Sequence, residues 1–447
     1  MTPLLRLLLL VPIVFIPNTN RFDMPTGIPG INLTNLILLV VLAVLALEPR
    51  DRYLPRSRGM LTAPLIALFS VMTLSFLIVQ VLSPGDMGAD FVYLKASIFY
   101  ILFYFLYRNC GQDIGYVRVL ILLTMAVAAI ASLEAIRQAL AFGLGNYTDA
   151  NRAAGPFGTN NLNANLAGVF FAIFLPMFAS VVLFLRGHRF WWLAAIAGSG
   201  IVGLGVMVTY SRQSYLIALV CMVVLLMRRN MALVILLGAL AIPAVSLLPD
   251  SVTQRVQETQ QASATGEARY DSSAASRFVI WKGATQMWQE YPLGVGLDRF
   301  KEHIGKYTAR YAGYDAHNFF VLTLSELGPI GLGVLLWLFW RFWQLTRMVE
   351  RSVPEGDSEA LALAFGFTLA VVAMTLGNMY GSRLFNGTMM ANFWILCGLM
   401  ERYAALKQAA AATAGQLVPT AGIRPAEVTD RFPLAARIMP GRHLHRK

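Results

Sequence analysis

The chain has 447 residues, of which 57% are hydrophobic and only 13% are charged, and its mean hydropathy is +0.59. These values exclude an ordinary soluble globular protein and indicate a polytopic membrane protein. In a membrane protein, the formal net charge of +12 reflects Lys and Arg in the loops, and the loops that carry them predict which side of the membrane each loop occupies. We therefore expect no nucleic acid partner. The three cysteines, Cys110, Cys221 and Cys397, have no CxxC spacing and predict neither a metal site nor a disulfide framework.

Apolar runs of roughly 17 to 25 residues can cross about 30 Å of hydrocarbon, and we count about twelve of them. The first run is kept as a span, because no small-residue cleavage site follows Phe15. The sequence therefore predicts an all-α polytopic membrane protein with about twelve transmembrane helices. The approximate centres of the runs are Val11, Leu39, Val71, Ile101, Val127, Phe174, Ser199, Val220, Ala239, Leu332, Leu369 and Phe393.

The loops between these runs alternate in charge, which predicts their sides. Arginine-rich loops such as residues 48–59 and 346–358 are assigned to the cytoplasm, and both termini fall on that side. The basic tail is expected to be disordered or to rest on anionic membrane lipid. The chain then divides into transmembrane helices 1–9 (residues 1–248), a long outer loop with amphipathic helices (249–317), transmembrane helices 10–12 (318–406) and a basic cytoplasmic tail (407–447).

The long outer loop has a helical pattern. Ser272 or Ser273 caps a helix that carries Phe278 and Trp281 on one face. An amphipathic helix of this kind lies on the membrane surface or caps the bundle. A second helix is predicted over residues 298–312.

Charged residues near the spans collect on the outer side. A charge inside a span is costly, so such a residue is interpreted as functional by default. Lys95, Glu134 and Arg137 have an equally good structural interpretation. They can snorkel to the interface, and Glu134 and Arg137, three residues apart, can pair with each other. The other charged residues on this side are Arg152, Arg212, Arg277, His317, Glu326 and Arg383.

Three of these residues suit the chemistry of a phosphate ester. Arg212 lies in a tight turn, where it binds a lipid headgroup or a substrate phosphate, since its planar fork pairs with phosphate oxygens and keeps its proton. Arg277 lies one helical turn before Trp281, where it can stack on the indole, and this does not exclude a second contact with an anion. His317 opens span ten, where it contacts headgroups or, beside an arginine-bound substrate, acts as a general base near neutral pH.

Missing motifs narrow the chemistry further. The outer loops contain no HExxH, no Cys or His cluster and no DxD pair, so we predict no metal and no cofactor. GxSxG and Walker motifs are also missing, and Gly294-Val295-Gly296 is interpreted as a turn. Several arginines with one histidine favour a diphosphate-linked lipid substrate, whose leaving group is neutralised by guanidinium.

Four motifs lie in a defined order on this twelve-span frame: residues 152–161, Ser211-Arg212, residues 276–296 and residues 316–328. With these motifs the chain resembles the O-antigen ligase and polymerase superfamily of bacterial envelope polysaccharide assembly, over roughly residues 30–400. One departure is Asn161-Leu162-Asn163, where the family pattern has Asn-Pro-Asn.

The resemblance implies glycosyl transfer at the periplasmic face of the inner membrane. The donor would be a glycan on undecaprenyl diphosphate and, in the ligase branch, the acceptor would be a sugar of the lipid A core. Arg212 and Arg277 would hold the diphosphate, and His317 would act as base on the attacking hydroxyl or position the leaving phosphate. Further substrate contacts are expected from Arg152, Arg383, Lys95, Trp281, Asn318 and Glu326.

Alternatives remain within and outside this superfamily. We favour a ligase over a polymerase that extends the lipid-linked chain. The protein O-oligosaccharyltransferase branch usually carries an extra soluble portion, for which this length leaves no room. A lipid-linked glycan transporter is the alternative from another class, although transporters tend to place polar residues at the membrane midplane and to show paired halves.

Overall fold

The structure, a computed structural model, describes residues 2–19, 32–47, 59–82, 85–111, 113–143, 148, 151–158, 161–232, 235, 239, 260–262, 268–270 and 272–417. This part of the chain is helical apart from one short antiparallel hairpin, so the predicted all-α class is confirmed with that small exception. The elements are α1 (Pro3–Phe15), α2 (Leu33–Leu47), α3 (Thr62–Leu82), α4 (Met87–Phe99), α5 (Leu102–Arg108), α6 (Ile114–Phe142), α7 (Asn161–Phe184), α8 (Arg189–Val208), α9 (Arg212–Arg229), β1 (Gln260–Ala262), β2 (Ala268–Tyr270), α10 (Ser272–Glu290), α11 (Phe300–Tyr307), α12 (Phe319–Arg351), α13 (Ser358–Met379) and α14 (Gly387–Leu417), with short 3-10 turns at Ile16–Asn18, Gly155–Phe157 and Ala309–Tyr311.

Seven segments of the described residues are helical, long and apolar enough to cross a membrane. Six of them are α3, α6, α8, α12, α13 and most of α7, and the seventh, Met87–Arg108, combines α4 and α5. Helices α1 and α2 are apolar but shorter. A multi-pass membrane protein is therefore confirmed, whereas the count of about twelve spans is not. Most of the predicted ninth span, around Ala239, and residues 418–447 of the basic tail lie outside the described residues.

Helices α7 and α13 lie at the centre of the bundle. In each of them 78% of the most apolar stretch is buried, against 28% in α3 and α8. Small residues allow the close contact, because a Cβ on Gly366 of α13 would lie 2.5 Å from Oγ of Ser180 in α7. Ser180 also donates its hydroxyl to the carbonyl oxygen of Ala362 (2.8 Å). The outer helices α3 and α8 turn large apolar side chains outward, as expected of a surface that faces lipid.

Helices α12 and α13 carry the chain across the bundle and back. The 23 residues of α12 that follow its interruption at Gly328 correspond to a length of about 35 Å at 1.5 Å per residue, more than the roughly 30 Å hydrocarbon core of a bilayer. The short connection after Arg351 leads into α13, which returns toward the start of α12. The turn after Met379 therefore comes close to His317, although 66 residues separate His317 from Arg383 in the sequence.

Helix α12 is interrupted at Gly328, where φ is 66° and ψ is −168°. Pro329 has no N–H, so the carbonyl of Ser325 lacks its usual helical partner. The loop before α11 supplies replacements. The N–H of Val295 donates to the Ser325 oxygen (2.9 Å), and the N–H of Gly296 donates to the next carbonyl of the helix (3.0 Å).

The same contact requires glycine on both sides. Gly294 has a φ of 93°, and a Cβ there would lie 2.4 Å from the carbonyl oxygen of Glu326. A Cβ on Gly328 would lie 2.6 Å from the carbonyl oxygen of Leu293. The glycines of this loop therefore form a turn that docks on the kink of α12, in agreement with the turn predicted from the sequence.

Of the two helices predicted in the outer loop, the first follows the sequence pattern closely and the second does so less closely. Helix α10 runs over Ser272–Glu290, as its capping serines and aromatic spacing predict. The second helix is shorter than predicted, because α11 ends at Tyr307. Thr308 adopts an extended φ of −146°, and its hydroxyl donates back to the carbonyl of Ile304 (3.3 Å), which favours a helix end.

Candidate functional site

A cavity of about 780 Å³ lies where the start of α7, the start of α12 and the turn between α13 and α14 meet the helices of the outer loop. Its wall combines cations, carboxylates, one histidine, tyrosines and asparagines. The cationic and acidic side chains and the histidine are Arg277, Lys301, Arg310, Arg383, Asp298, Asp315, Glu326 and His317.

His317 is held in place by its own backbone and by its neighbours. Its φ of 51° is uncommon for a residue other than glycine, and its N–H donates to Oδ2 of Asp315 (3.0 Å). The indole Nε1 of Trp281 donates to the carbonyl of Ala316 (2.8 Å). Oδ1 of Asn318 accepts hydrogen bonds from the first N–H groups of α12, at 2.9 and 3.2 Å. Trp281 and Asn318, both expected to contact substrate, thus position the histidine.

The environment of His317 keeps its imidazole neutral. Burial lowers the pKa of His317 below 6.5, and the charges of Arg277, Arg383 and Lys301 lower it further, whereas Asp315 acts in the opposite direction. Nδ1 of His317 lies 3.9 Å from Oδ2 of Asp315. A neutral imidazole at pH 7 can accept a proton, as a general base requires.

Arg383 belongs to the turn that follows α13. Oδ1 of the buried Asn378 accepts hydrogen bonds from the N–H groups of Arg383 (3.1 Å) and Leu384 (2.8 Å), which fixes the turn. Within the described residues, Nε of Arg383 and Oγ of the adjacent Ser382 are buried and have no hydrogen-bond partner. Buried polar atoms are rarely left unpaired. Both residues line the cavity, so these two atoms suit an acceptor supplied by a bound ligand.

The charge of Arg277 acts on both Arg383 and His317. Burial lowers the pKa of Arg383 to about 10, with a further decrease from Arg277 and an opposing effect of Asp315. That value is well above neutral pH, so the guanidinium stays charged. Arg277 on α10 lowers the pKa of both His317 and Arg383. Two guanidinium groups and one neutral imidazole therefore share one cavity.

Glu326 lies on the wall formed by α12 and is 6% exposed. Its Oε1 accepts a hydrogen bond from the N–H of Phe300, the first residue of α11 (3.2 Å). The carboxyl group therefore joins the loop to the kinked helix, next to the loop contact at Gly328. In the described part of the chain, no group of three or more His, Cys, Asp or Glu side chains is arranged to hold a metal ion.

Five predicted site residues lie away from the cavity wall, namely Trp281 and Asn318, described above, and Arg152, Lys95 and Arg212. Arg152 is buried, where its Nε donates to the carbonyl of Thr209 (3.0 Å) and its Nη2 donates to Oδ1 of Asn165 (2.5 Å). Asn165 does line the cavity, so Arg152 is connected to the wall through one residue. Lys95 donates to Oδ1 of Asn35 (3.2 Å). Arg212, the first residue of α9, is half-buried, and its role in diphosphate binding stays a prediction.

The alternative interpretation of Glu134 and Arg137 is confirmed. Nη2 of Arg137 lies 2.7 Å from Oε1 of Glu134, so the two residues form an ion pair within one helix.

The sequence analysis missed the ion pair that anchors the outer loop. Nη1 and Nη2 of Arg299 donate to the two carboxylate oxygens of Asp90, at 2.8 and 2.6 Å, and both side chains are buried. This bidentate pair holds α11 against the start of α4. Asp90 at the start of an apolar span was a signal for such a partner, whereas Lys301 and Arg310 carried no pattern that set them apart from surface charges.

A comparison with protein families matches residues 197–336 to a family described as O-Antigen ligase. The matched segment includes Arg212, Arg277, His317 and Glu326. The resemblance to the O-antigen ligase and polymerase superfamily is thereby confirmed. A search of curated proteins gives no match.

Proposed function

We propose that this protein is an O-antigen ligase of the bacterial inner membrane. It transfers O-antigen polysaccharide from undecaprenyl diphosphate to the lipid A core, without a metal ion, at the periplasmic face. In this proposal both termini are cytoplasmic, and the cavity opens to the periplasm. The observation that carries the proposal is the grouping of Arg277, Arg383 and a neutral His317 around one cavity, in a chain that matches the O-Antigen ligase family.

The diphosphate of the donor binds between Arg277 and Arg383. Guanidinium groups pair with phosphate oxygens and remain charged throughout the reaction. Nε of Arg383 and Oγ of Ser382, which have no partner within the described residues, both donate to the same phosphate. As the bond between the sugar and the diphosphate breaks, these cations stabilise the negative charge of the leaving group.

His317 activates the acceptor. Its neutral imidazole takes the proton of the acceptor hydroxyl while the hydroxyl oxygen forms a bond to the anomeric carbon of the donor sugar. The bond from that carbon to the diphosphate oxygen breaks, and undecaprenyl diphosphate leaves. The proton then passes from His317 to solvent. Asp315, which lies beside the imidazole, stabilises the protonated form during the step.

Arg212 is not among the residues that line the cavity. It follows the turn at Thr209, whose carbonyl binds Arg152. Arg152 in turn holds Asn165 on the cavity wall. We keep for Arg212 the role that the resemblance implies, which is to hold the diphosphate together with Arg277.

Reconstitution of the purified protein tests this function. The protein in liposomes is incubated with a glycan on undecaprenyl diphosphate, with and without lipid A core, and the products are separated by mass. We expect glycan to move onto lipid A core, and we expect no product from His317→Ala. If the donor grows longer without the acceptor, the protein is a polymerase. If folded protein gives neither product, the transfer reaction is refuted, and movement of the lipid-linked glycan across the bilayer should be measured instead.

A further inference from the structure

An aromatic surface lies at the cavity just before His317 in the chain. Tyr311 and Tyr314 both line the cavity, and their rings meet edge to face, with centroids 5.6 Å apart and an angle of 79° between the planes. The guanidinium carbon of Arg310 lies 5.7 Å from the centroid of the Tyr311 ring. Tyr314 is nevertheless 51% exposed. The pair therefore presents an oriented ring surface that the protein does not cover.

The backbone around these rings is fixed by hydrogen bonds. Gly313 turns the chain with a φ of 78°, and its N–H donates to the carbonyl of Lys301 on α11 (3.3 Å). The N–H of Tyr314 donates to the carbonyl of Tyr311 (3.1 Å). A surface that is ordered before binding loses little conformational entropy when a ligand arrives.

The groups near the tyrosines are strongly polar. Asp298, Lys301 and Asp315 line the same cavity and offer carboxylate acceptors and an ammonium donor. A lipid chain has no polar atoms that could form hydrogen bonds with these groups. A pyranose ring needs both kinds of contact, because one of its faces presents C–H groups that pack on an aromatic ring while its edge carries hydroxyl groups.

We infer that Tyr311 and Tyr314 form a glycan subsite, in which a pyranose ring packs on the exposed face of Tyr314 and its hydroxyl groups bond to the neighbouring charged side chains. The inference rests on the proposed function and adds a residue-level account of where sugar is held. Since Tyr314 precedes His317 by three residues, the bound ring is close to the one that reacts. The ring belongs either to the donor glycan or to the acceptor saccharide.

Kinetics of Tyr314 variants test the subsite in the purified full-length protein. Donor and acceptor are varied separately for the wild type, Tyr314→Ala and Tyr314→Phe. For Tyr314→Ala we expect the KM of one substrate to rise about tenfold, the ratio that corresponds to 1.4 kcal/mol, with kcat changed by less than about twofold. Tyr314→Phe keeps the ring and should behave as the wild type. The substrate whose KM rises is the source of the bound sugar.

Tyr291 provides a matched control. It is also an exposed tyrosine of the outer loop, at 37%, but it packs edge to face on His303, with ring centroids 5.8 Å apart. Tyr291→Ala should leave both KM values unchanged. A tyrosine that only contacts lipid headgroups would give the same result at position 314, and that outcome would overturn the subsite.

A binding measurement separates this inference from the proposed function. Lipid-free oligosaccharide that consists of O-antigen joined to core, released by mild acid from the lipopolysaccharide of the same bacterium, is added to the protein, and saturation transfer to its C–H protons is recorded by NMR. We expect transfer with the wild type and a marked loss with Tyr314→Ala. If the wild type binds the oligosaccharide through Tyr314 but transfers no glycan, the subsite stands and the proposed function fails. If the wild type transfers glycan and Tyr314→Ala binds and reacts normally, the function stands and the subsite is refuted.

Discussion

At the scale of single residues, the protonation of His317 gives a sharp test of its role. Its pKa lies below 6.5, chiefly because of burial, and a general base works only in the neutral form. We therefore expect kcat/KM to rise with pH through a value below 6.5 and to be level at neutral pH. Rates of transfer measured from pH 4.5 to 8 locate this rise, which is the acidic limb of the pH profile.

The Asp315→Asn variant checks the direction in which Asp315 shifts the pKa of His317. The negative charge of Asp315 raises the pKa of His317, so its removal should move the limb to lower pH. The amide oxygen of asparagine can still accept the N–H of His317, a contact that Asp315 makes at 3.0 Å. A limb at or above 6.5 in the wild type, or a shift to higher pH in the variant, would contradict the assignment of His317 as the base.

Arg383 should be sensitive even to lysine. Its buried Nε has no partner in the described part of the structure, and a single ammonium cannot reproduce the paired contacts of a guanidinium with phosphate. We expect Arg383→Lys to lower kcat by about 10²-fold or more, as loss of one transition-state donor does elsewhere. Arg351→Lys, an exposed site at the far end of α12, is the control. Wild-type turnover by folded Arg383→Lys would show that Arg383 does not bind the diphosphate.

The residues from the sequence analysis that line the cavity are those whose chemistry can be recognised from the residue type itself. His317, Glu326 and Arg383 are charged or titratable residues near the outer ends of apolar runs, and Arg277 is a charged residue on the helix of the outer loop. Arg152 has the same appearance in the sequence but bonds to Thr209 and Asn165 of the protein itself. Whether a buried arginine serves a ligand or a carbonyl depends on neighbours that are distant in the sequence.

At the scale of secondary structure elements, the kink of α12 should tolerate no side chain. Gly328 has a positive φ, and a Cβ there would meet a backbone oxygen at 2.6 Å. We expect Gly328→Ala to lower stability by about 1–3 kcal/mol, and to lower activity, because the kink adjoins Glu326 on the cavity wall. Thermal unfolding of the purified protein in detergent measures the change. Gly333→Ala in the same helix meets nothing within 4 Å and should be as stable as the wild type or slightly more so.

Helix α10 could be predicted because its signal is local, whereas the contact at the kink could not. The loop at Val295 binds α12 through a backbone N–H, and a backbone group leaves no trace in the sequence of side chains. Pro329 has no N–H, so a carbonyl one turn earlier needs another partner. Nothing in the sequence specified that the partner would come from a segment about 30 residues away.

At the scale of the whole molecule, the path of α12 and α13 determines which groups share a side of the membrane. Because α12 is longer than the bilayer core and α13 returns beside it, the cavity and the connection at residues 352–357 lie at opposite ends of the bundle. The proposed orientation puts the cavity in the periplasm and that connection in the cytoplasm. Charge in the loops predicts this orientation, and the accessibility of each end to a reagent tests it.

Cysteine labelling in cells makes that measurement. The three native cysteines are buried, so the background should be low. Ala309 near the cavity and Glu355 in the far connection are exposed, and each is replaced by cysteine in a separate variant. With the outer membrane permeabilised, a membrane-impermeant maleimide should label Ala309→Cys at once and Glu355→Cys only after the inner membrane is opened. The opposite pattern would place the cavity in the cytoplasm, where a donor presented in the periplasm cannot reach His317, and ligase activity would then be excluded however well the arginines suit a diphosphate.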